Sequence, residues 1–136
     1  PGGVRTVLTA DHGMVNVDRS RIVDVAVTPA LREGVRVIAG ETRAAHVHAE
    51  EGRAREVEER WRDVLGEGAW ILSRSQMPEL IGQGDGASII GDLLVLARGS
   101  GGVVDSRTQS AAAIAMPGIH GSVTSREMRI PVLALS

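Results

Sequence analysis

The 136 residues carry 15 basic and 17 acidic side chains for a formal net charge of −2, and 43% of them are hydrophobic, enough for one folded domain with a core of its own. Every basic residue is Arg, and Arg and Glu are mixed along the chain with no stripe of one sign, which excludes an electrostatic nucleic-acid surface; no apolar run approaches the ~20 residues that span a bilayer as a helix. With no Cys there is no disulfide and no thiolate metal site, so any metal must be held by His and carboxylates.

Val4 to Ala10 is apolar and β-branched and reads as a buried strand in a parallel sheet. It runs into Asp11-His12-Gly13-Met14, the start of a loop to Val17 in which Gly13 permits a tight turn. Ile22, Val23, Val25 and Val27 suggest a short extended segment. Thr28, Pro29 and Gly34 then have the order of an N-cap, a first helical residue and a stop. Val35 to Ala39 and Ala44 to Ala49 predict two strands joined through Gly40-Glu41-Thr42. Between Gly52 and Gly66, Ala54, Val57, Trp61, Val64 and Leu65 fall on one face of a helix, with Glu and Arg on the other. Ala69 to Ser73 adds a strand. Residues 35–74 are thus expected to form a small α+β insertion or cap beside a core portion made of 1–34 and 75–136.

The core portion resumes with a short helix over Ser75 to Ile81, a loop at Gly82 to Gly86 and a buried strand over Asp92 to Ala97. Val103-Val104 begins another strand, and Ser110 to Met116 is small and apolar without a clear period. Gly118-Ile119-His120-Gly121-Ser122 is a second glycine-bordered loop with a His. Thr124 and Glu127 have capping-box spacing, and Ile130 to Leu135 is a closing strand.

The four His divide into two kinds. His46 and His48, at i and i+2 of one expected strand and followed by Glu50-Glu51, read as a solvated strand face before they read as a metal pair. His12 and His120 lie instead in glycine-bordered loops next to apolar strands. Asp11 beside His12 joins a carboxylate to an imidazole, a standard pair of zinc ligands, at a strand end where α/β sheets bind ligands. Taken alone, Asp11 serves equally well as a cap for nearby amides.

Together, Thr9-Ala10-Asp11-His12-Gly13-Met14, Gly118-Ile119-His120-Gly121-Ser122-Val123-Thr124 and Ile130-Pro131 resemble the alkaline phosphatase superfamily. Within it the resemblance is to the nucleotide pyrophosphatase/phosphodiesterase (type I phosphodiesterase) branch. Cofactor-independent phosphoglycerate mutases and phosphopentomutases share the Ala-Asp-His-Gly but continue differently. The resemblance implies an α/β fold, the C-terminal part of an alkaline-phosphatase-like α/β/α sandwich, with residues 35–74 as its variable insertion. It also implies a two-zinc site, with Asp11 and His12 on the zinc that activates the nucleophile and His120 on the other. Two such ions clamp both ends of an in-line phosphoryl displacement, here through a covalent phospho-Thr or phospho-Ser, on a phosphate-ester or nucleotide substrate.

Members of that branch also carry an Asp after the first strand, a nucleophilic Thr or Ser and an Asp-x-x-x-His, all ahead of the Asp-His-Gly. The ten residues before Asp11 match none of these. The expectation is therefore a C-terminal fragment of a phosphoric-ester hydrolase, inactive and weak in zinc binding by itself. Its natural partner would be the N-terminal part of the same protein. An exposed sheet edge and apolar patches would favour homodimer formation in that part's absence. A phosphomutase of the same superfamily is the runner-up; a non-catalytic binding or dimerisation module is the alternative from another class.

Overall fold

The structure is a computed structural model that describes residues 4–84, 86 and 89–135. Strands β1 (Thr6–Thr9), β2 (Val15–Asn16) and β3 (Ile22–Asp24) lead into the short helix α1 (Pro29–Arg32). The hairpin of β4 (Val35–Glu41) and β5 (Ala44–Ala49), the helix α2 (Ala54–Leu65) and β6 (Ala69–Ser73) follow. After α3 (Met77–Ile81) come β7 (Leu93–Ala97), β8 (Gly102–Val104) and α4 (Ala111–Ile114). The chain closes with β9 (Gly118–Ile119), α5 (Ser125–Met128) and β10 (Val132–Leu135). The loop expected at Gly82 to Gly86 includes Asp85, which lies outside the described residues.

The largest sheet has the order β4-β5-β7-β6, antiparallel throughout. One face carries Ala45, Val47, Ile71, Leu93 and Val95, packed under Val57 and Trp61 of α2 and Leu31 of α1. The other carries Leu94, Leu96, Trp70 and Leu72, covered by Met77 and Val123. β7 is buried at every residue, which accounts for its apolar run without alternation. Since β7 sits between β5 and β6, the expected 35–74 insertion and the expected core portion share this sheet. Trp61 is the largest fully buried side chain, and its indole N–H donates to the carbonyl of Leu31 at 3.2 Å. Gly66, with φ at 47°, ends α2 in a conformation that favours glycine. The β4–β5 connection turns at Thr42-Arg43, later than the glycine-bearing loop expected, because Glu41 already pairs with Ala44.

Two expectations for the first strand are corrected. β1 pairs antiparallel with β10, Thr6 opposite Leu135 through Thr9 opposite Val132, and both strands are exposed along their whole length. Leu8 is 56% exposed and Val132 70%. An apolar, β-branched run signals that a strand needs covering layers; it does not supply them. In the observed register Leu8, Leu133 and Leu135 share one face of the ribbon and Val7, Val132 and Ala134 the other.

Two small pairings complete the architecture. β3 runs parallel to β8, Ile22 opposite Gly102. β2 lies within the stretch expected to be loop and pairs antiparallel with β9, Val15 opposite Ile119 and Asn16 opposite Gly118. Both apolar members of that pair are buried, and they fasten the segment after Asp11-His12 to the segment before His120. Among the described residues no helix is long and apolar enough to cross a membrane.

Candidate metal centre

β1 ends at Thr9 and delivers Asp11 and His12 to the loop beyond it. The Asp11 carboxylate is exposed, and its Oδ1 accepts the backbone N–H of His12 at 3.0 Å. Its Oδ2 lies 3.5 Å from Nε2 of the partly buried His12 ring. On the far side of that ring, Nδ1 is 2.9 Å from the carbonyl oxygen of Gly13. A carbonyl can only accept, so Nδ1 carries a hydrogen and Nε2 is the ring nitrogen on the side of Asp11.

The β2–β9 pairing brings His120 to the same place from the other end of the chain. The rings of His12 and His120 stack with centroids 3.6 Å apart and planes 19° from parallel. All three residues singled out from the sequence thus meet at one corner. Among the described residues, no group of three His, Asp or Glu is assembled closely enough to hold a metal by itself.

Beneath this corner lies an ion pair that pattern reading did not single out. Arg43 and Glu127 are almost completely buried, joined through Nε–Oε1 at 2.6 Å and a second guanidinium N–H to Oε2 at 2.9 Å. The capping box expected at Thr124 and Glu127 takes a different form. The Thr124 hydroxyl donates to the Glu127 carboxylate, and that carboxylate also accepts the Ser122 N–H at 3.0 Å while facing Arg43. Burial pushes the Glu127 carboxyl up, but the hydrogen bonds from Arg43, Thr124 and Ser122 outweigh it and hold the group below the ordinary Glu value. The sequence held a cue in the Thr124–Glu127 spacing; it gave no sign that the carboxylate turns inward.

His46 and His48 follow a different course from the solvated face expected of them. Both are half-buried on the face of β5 opposite Val47, and the two rings lie close to the backbone of Gly40 and Gly91. Burial first, and the neighbouring His48 second, lower the pKa of His46 below the usual imidazole value.

No family model and no curated protein sequence matches the chain. Solved structures do. Phosphonoacetate hydrolase from Sinorhizobium meliloti 1021, in complex with phosphonoacetate, superposes with a TM-score of 0.74 at 20% identity, over 97% of this chain and 36% of that one. Murine ectonucleotide pyrophosphatase/phosphodiesterase 5 gives 0.71 at 16% identity, over 96% of this chain and 33% of that one. The human counterpart gives 0.71 at 17% identity with the same coverage. The murine protein is also known as an inactive variant in complex with AMP, with the same TM-score of 0.71. These proteins belong to the alkaline phosphatase superfamily, and the chain has their α/β fold over about a third of their length.

Proposed function

We propose that this chain carries part of the metal site of a zinc-dependent phosphoric-ester hydrolase, with Asp11 and His12 as ligands of one zinc and His120 as a ligand of the second. The observation that carries the reading is the stacking of His12 on His120 at 3.6 Å, beside the Asp11 carboxylate. The donor set fits zinc. Two ligands each about 2.0–2.1 Å from a tetrahedral ion lie about 3.3 Å apart, and His12 Nε2 and Asp11 Oδ2 are separated by 3.5 Å. The Nδ1–H of His12 on the Gly13 carbonyl is the outer hydrogen bond that orients a ligating imidazole and fixes its tautomer.

A pair of zinc ions supplies charge stabilisation at both ends of an in-line phosphoryl displacement. The residues of this chain would hold and orient: Asp11 contributes the carboxylate donor, His12 an imidazole held from behind through Nδ1, and His120 a second ring fixed against the first. The reaction class follows the fold neighbours, one named a pyrophosphatase/phosphodiesterase and the other a phosphonate hydrolase. The substrate class that suits them is a small phosphate ester, with a nucleotide first, since one neighbour is known with AMP.

The nucleophile and the remaining ligands are assigned in this reading to an N-terminal part of the same protein. Two observations support that assignment. The chain spans about a third of the length of the proteins that share its fold, and the β1–β10 ribbon exposes apolar side chains on both faces, as a strand pair does when its neighbouring layers are elsewhere.

Calorimetric titration of the chain with ZnCl2 tests the ligand assignment. Zinc should bind weakly, and His12→Ala and His120→Ala should each weaken it at least tenfold; equal affinity in all three proteins would remove His12 and His120 from the site. The chain alone should not hydrolyse bis-p-nitrophenyl phosphate with zinc present. Robust zinc-dependent turnover would show that the site needs nothing further.

A further inference from the structure

We propose that the buried Arg43–Glu127 ion pair is the positioning device of the candidate metal centre, holding the His12 loop and the His120 loop at the spacing that stacks their rings. The inference rests on the proposed reading only for its consequence in metal affinity; the geometry that motivates it is independent of any metal.

Glu127 holds one loop with its backbone and the other with its side chain. Its carbonyl accepts the N–H of Gly13, the residue after His12, at 2.7 Å. Its carboxylate accepts the N–H of Ser122, two residues after His120, at 3.0 Å. Arg43 then ties Glu127 to the rest of the fold. Its guanidinium grips both carboxylate oxygens and donates to the carbonyls of Gly101 at 2.7 Å and Ala97 at 3.2 Å. Ala97 O also accepts the Ser122 hydroxyl at 2.6 Å. With Arg43, Ser122 and Thr124 on it, the carboxylate fills the roughly four acceptor positions it has. Among the described residues neither Arg43 nor Glu127 hydrogen-bonds a His ring, so the pair acts through the two loops.

The chemistry favours a geometric role over a stabilising one. Desolvating two charges costs several kcal/mol per ion, and an apolar pair of like volume commonly gives equal or better stability. What an apolar pair cannot supply is an acceptor for Ser122 N–H. A forked guanidinium on a carboxylate has a fixed plane, and here that plane sets where the Ser122 N–H lies and anchors the residue whose carbonyl holds Gly13.

The test therefore replaces the pair by apolar residues, Arg43→Met with Glu127→Leu, and reads three quantities. Thermal unfolding should remain cooperative. In the metal-free protein, proton nuclear Overhauser contacts between the rings of His12 and His120, present in the parent chain, should disappear. Zinc affinity measured with ZnCl2 should fall 10- to 100-fold, the range for residues that orient metal ligands from behind. Glu127→Asp, which keeps the charge but withdraws the carboxylate from Ser122 by one methylene, is read the same way and decides the matter if the double variant does not fold. A folded variant that keeps both the ring contacts and zinc affinity within twofold of the parent overturns the proposal. If instead the parent and His120→Ala bind zinc alike, the metal reading fails, while the ring contacts still decide whether the ion pair positions the loops.

Discussion

A Cβ placed on Gly13 would clash with the carbonyl oxygen of Arg126 in α5, so the Asp-His-Gly loop and that helix touch backbone to backbone. The glycine is required by that close approach. Gly13→Ala must push the two segments apart and break the Gly13 N–H bond to Glu127 O, 2.7 Å long in the structure. The expected cost is on the order of 1–3 kcal/mol, as for overpacking elsewhere. Urea denaturation at unchanged m should show it as a lower midpoint, together with weakened zinc binding, since the displaced residue adjoins His12.

Trp61 is the keystone of the larger core. It is completely buried between α2, α1 and the sheet, in a chain with no Phe or Tyr to share the volume. Trp61→Ala should cost about 3–5 kcal/mol, a large share of the 5–15 kcal/mol typical of a domain. Trp61→Phe keeps most of the volume but leaves the Leu31 carbonyl without its 3.2 Å donor, a loss of about 1–3 kcal/mol. Chemical denaturation followed by circular dichroism separates the two.

Elements whose signal is local were legible in the sequence. α2 carries its apolar face, and its stop at Gly66, within one stretch of chain. β5, β6 and β7 announced themselves by β-branched and aliphatic runs. His12 and His120 stood out by residue type and flanking glycines, and the structure stacks their rings. What stayed hidden depends on pairing between distant segments. β2 and β9 are two residues each, too short for any periodicity, and exist only because each meets the other. Nothing local marks Arg43; its burial follows from its pairing with Glu127, far along the chain. The antiparallel direction of β1 was invisible for the same reason, since composition reports how apolar a strand is and says nothing of its neighbour's direction.

Acid should destabilise the fold through three carboxylates. Burial works against the ionised form of Asp24, but hydrogen bonds from the Ser106 side chain and from the backbone N–H groups of Ser106 and Ala26 prevail and lower its pKa. Arg107 lowers that of Asp105 against the opposing effect of burial, and Glu127 is lowered as described above. A carboxyl with a depressed folded-state pKa stabilises fully above its unfolded value, about 4, and loses that contribution as pH falls through the lower folded value. Melting temperature should therefore be flat from neutral pH to about 5 and fall steadily below about 4. Asp24→Asn should give a lower melting temperature at neutral pH and a shallower acid slope. An unchanged slope would exclude Asp24 from the acid response.

The β1–β10 ribbon gives the last prediction. Leu8 and Leu133 face each other across the ladder on one side, with Leu135 beside them, and Val7 and Val132 lie on the other. All five are at least half exposed, and an edge pair with two apolar faces is a template for association. The isolated chain should self-associate with concentration in sedimentation velocity, and Leu133→Lys with Val132→Lys should shift it to monomer with little change in melting temperature, because neither side chain packs against the two core clusters. Association that persists in the double variant would place the contact elsewhere on the molecule.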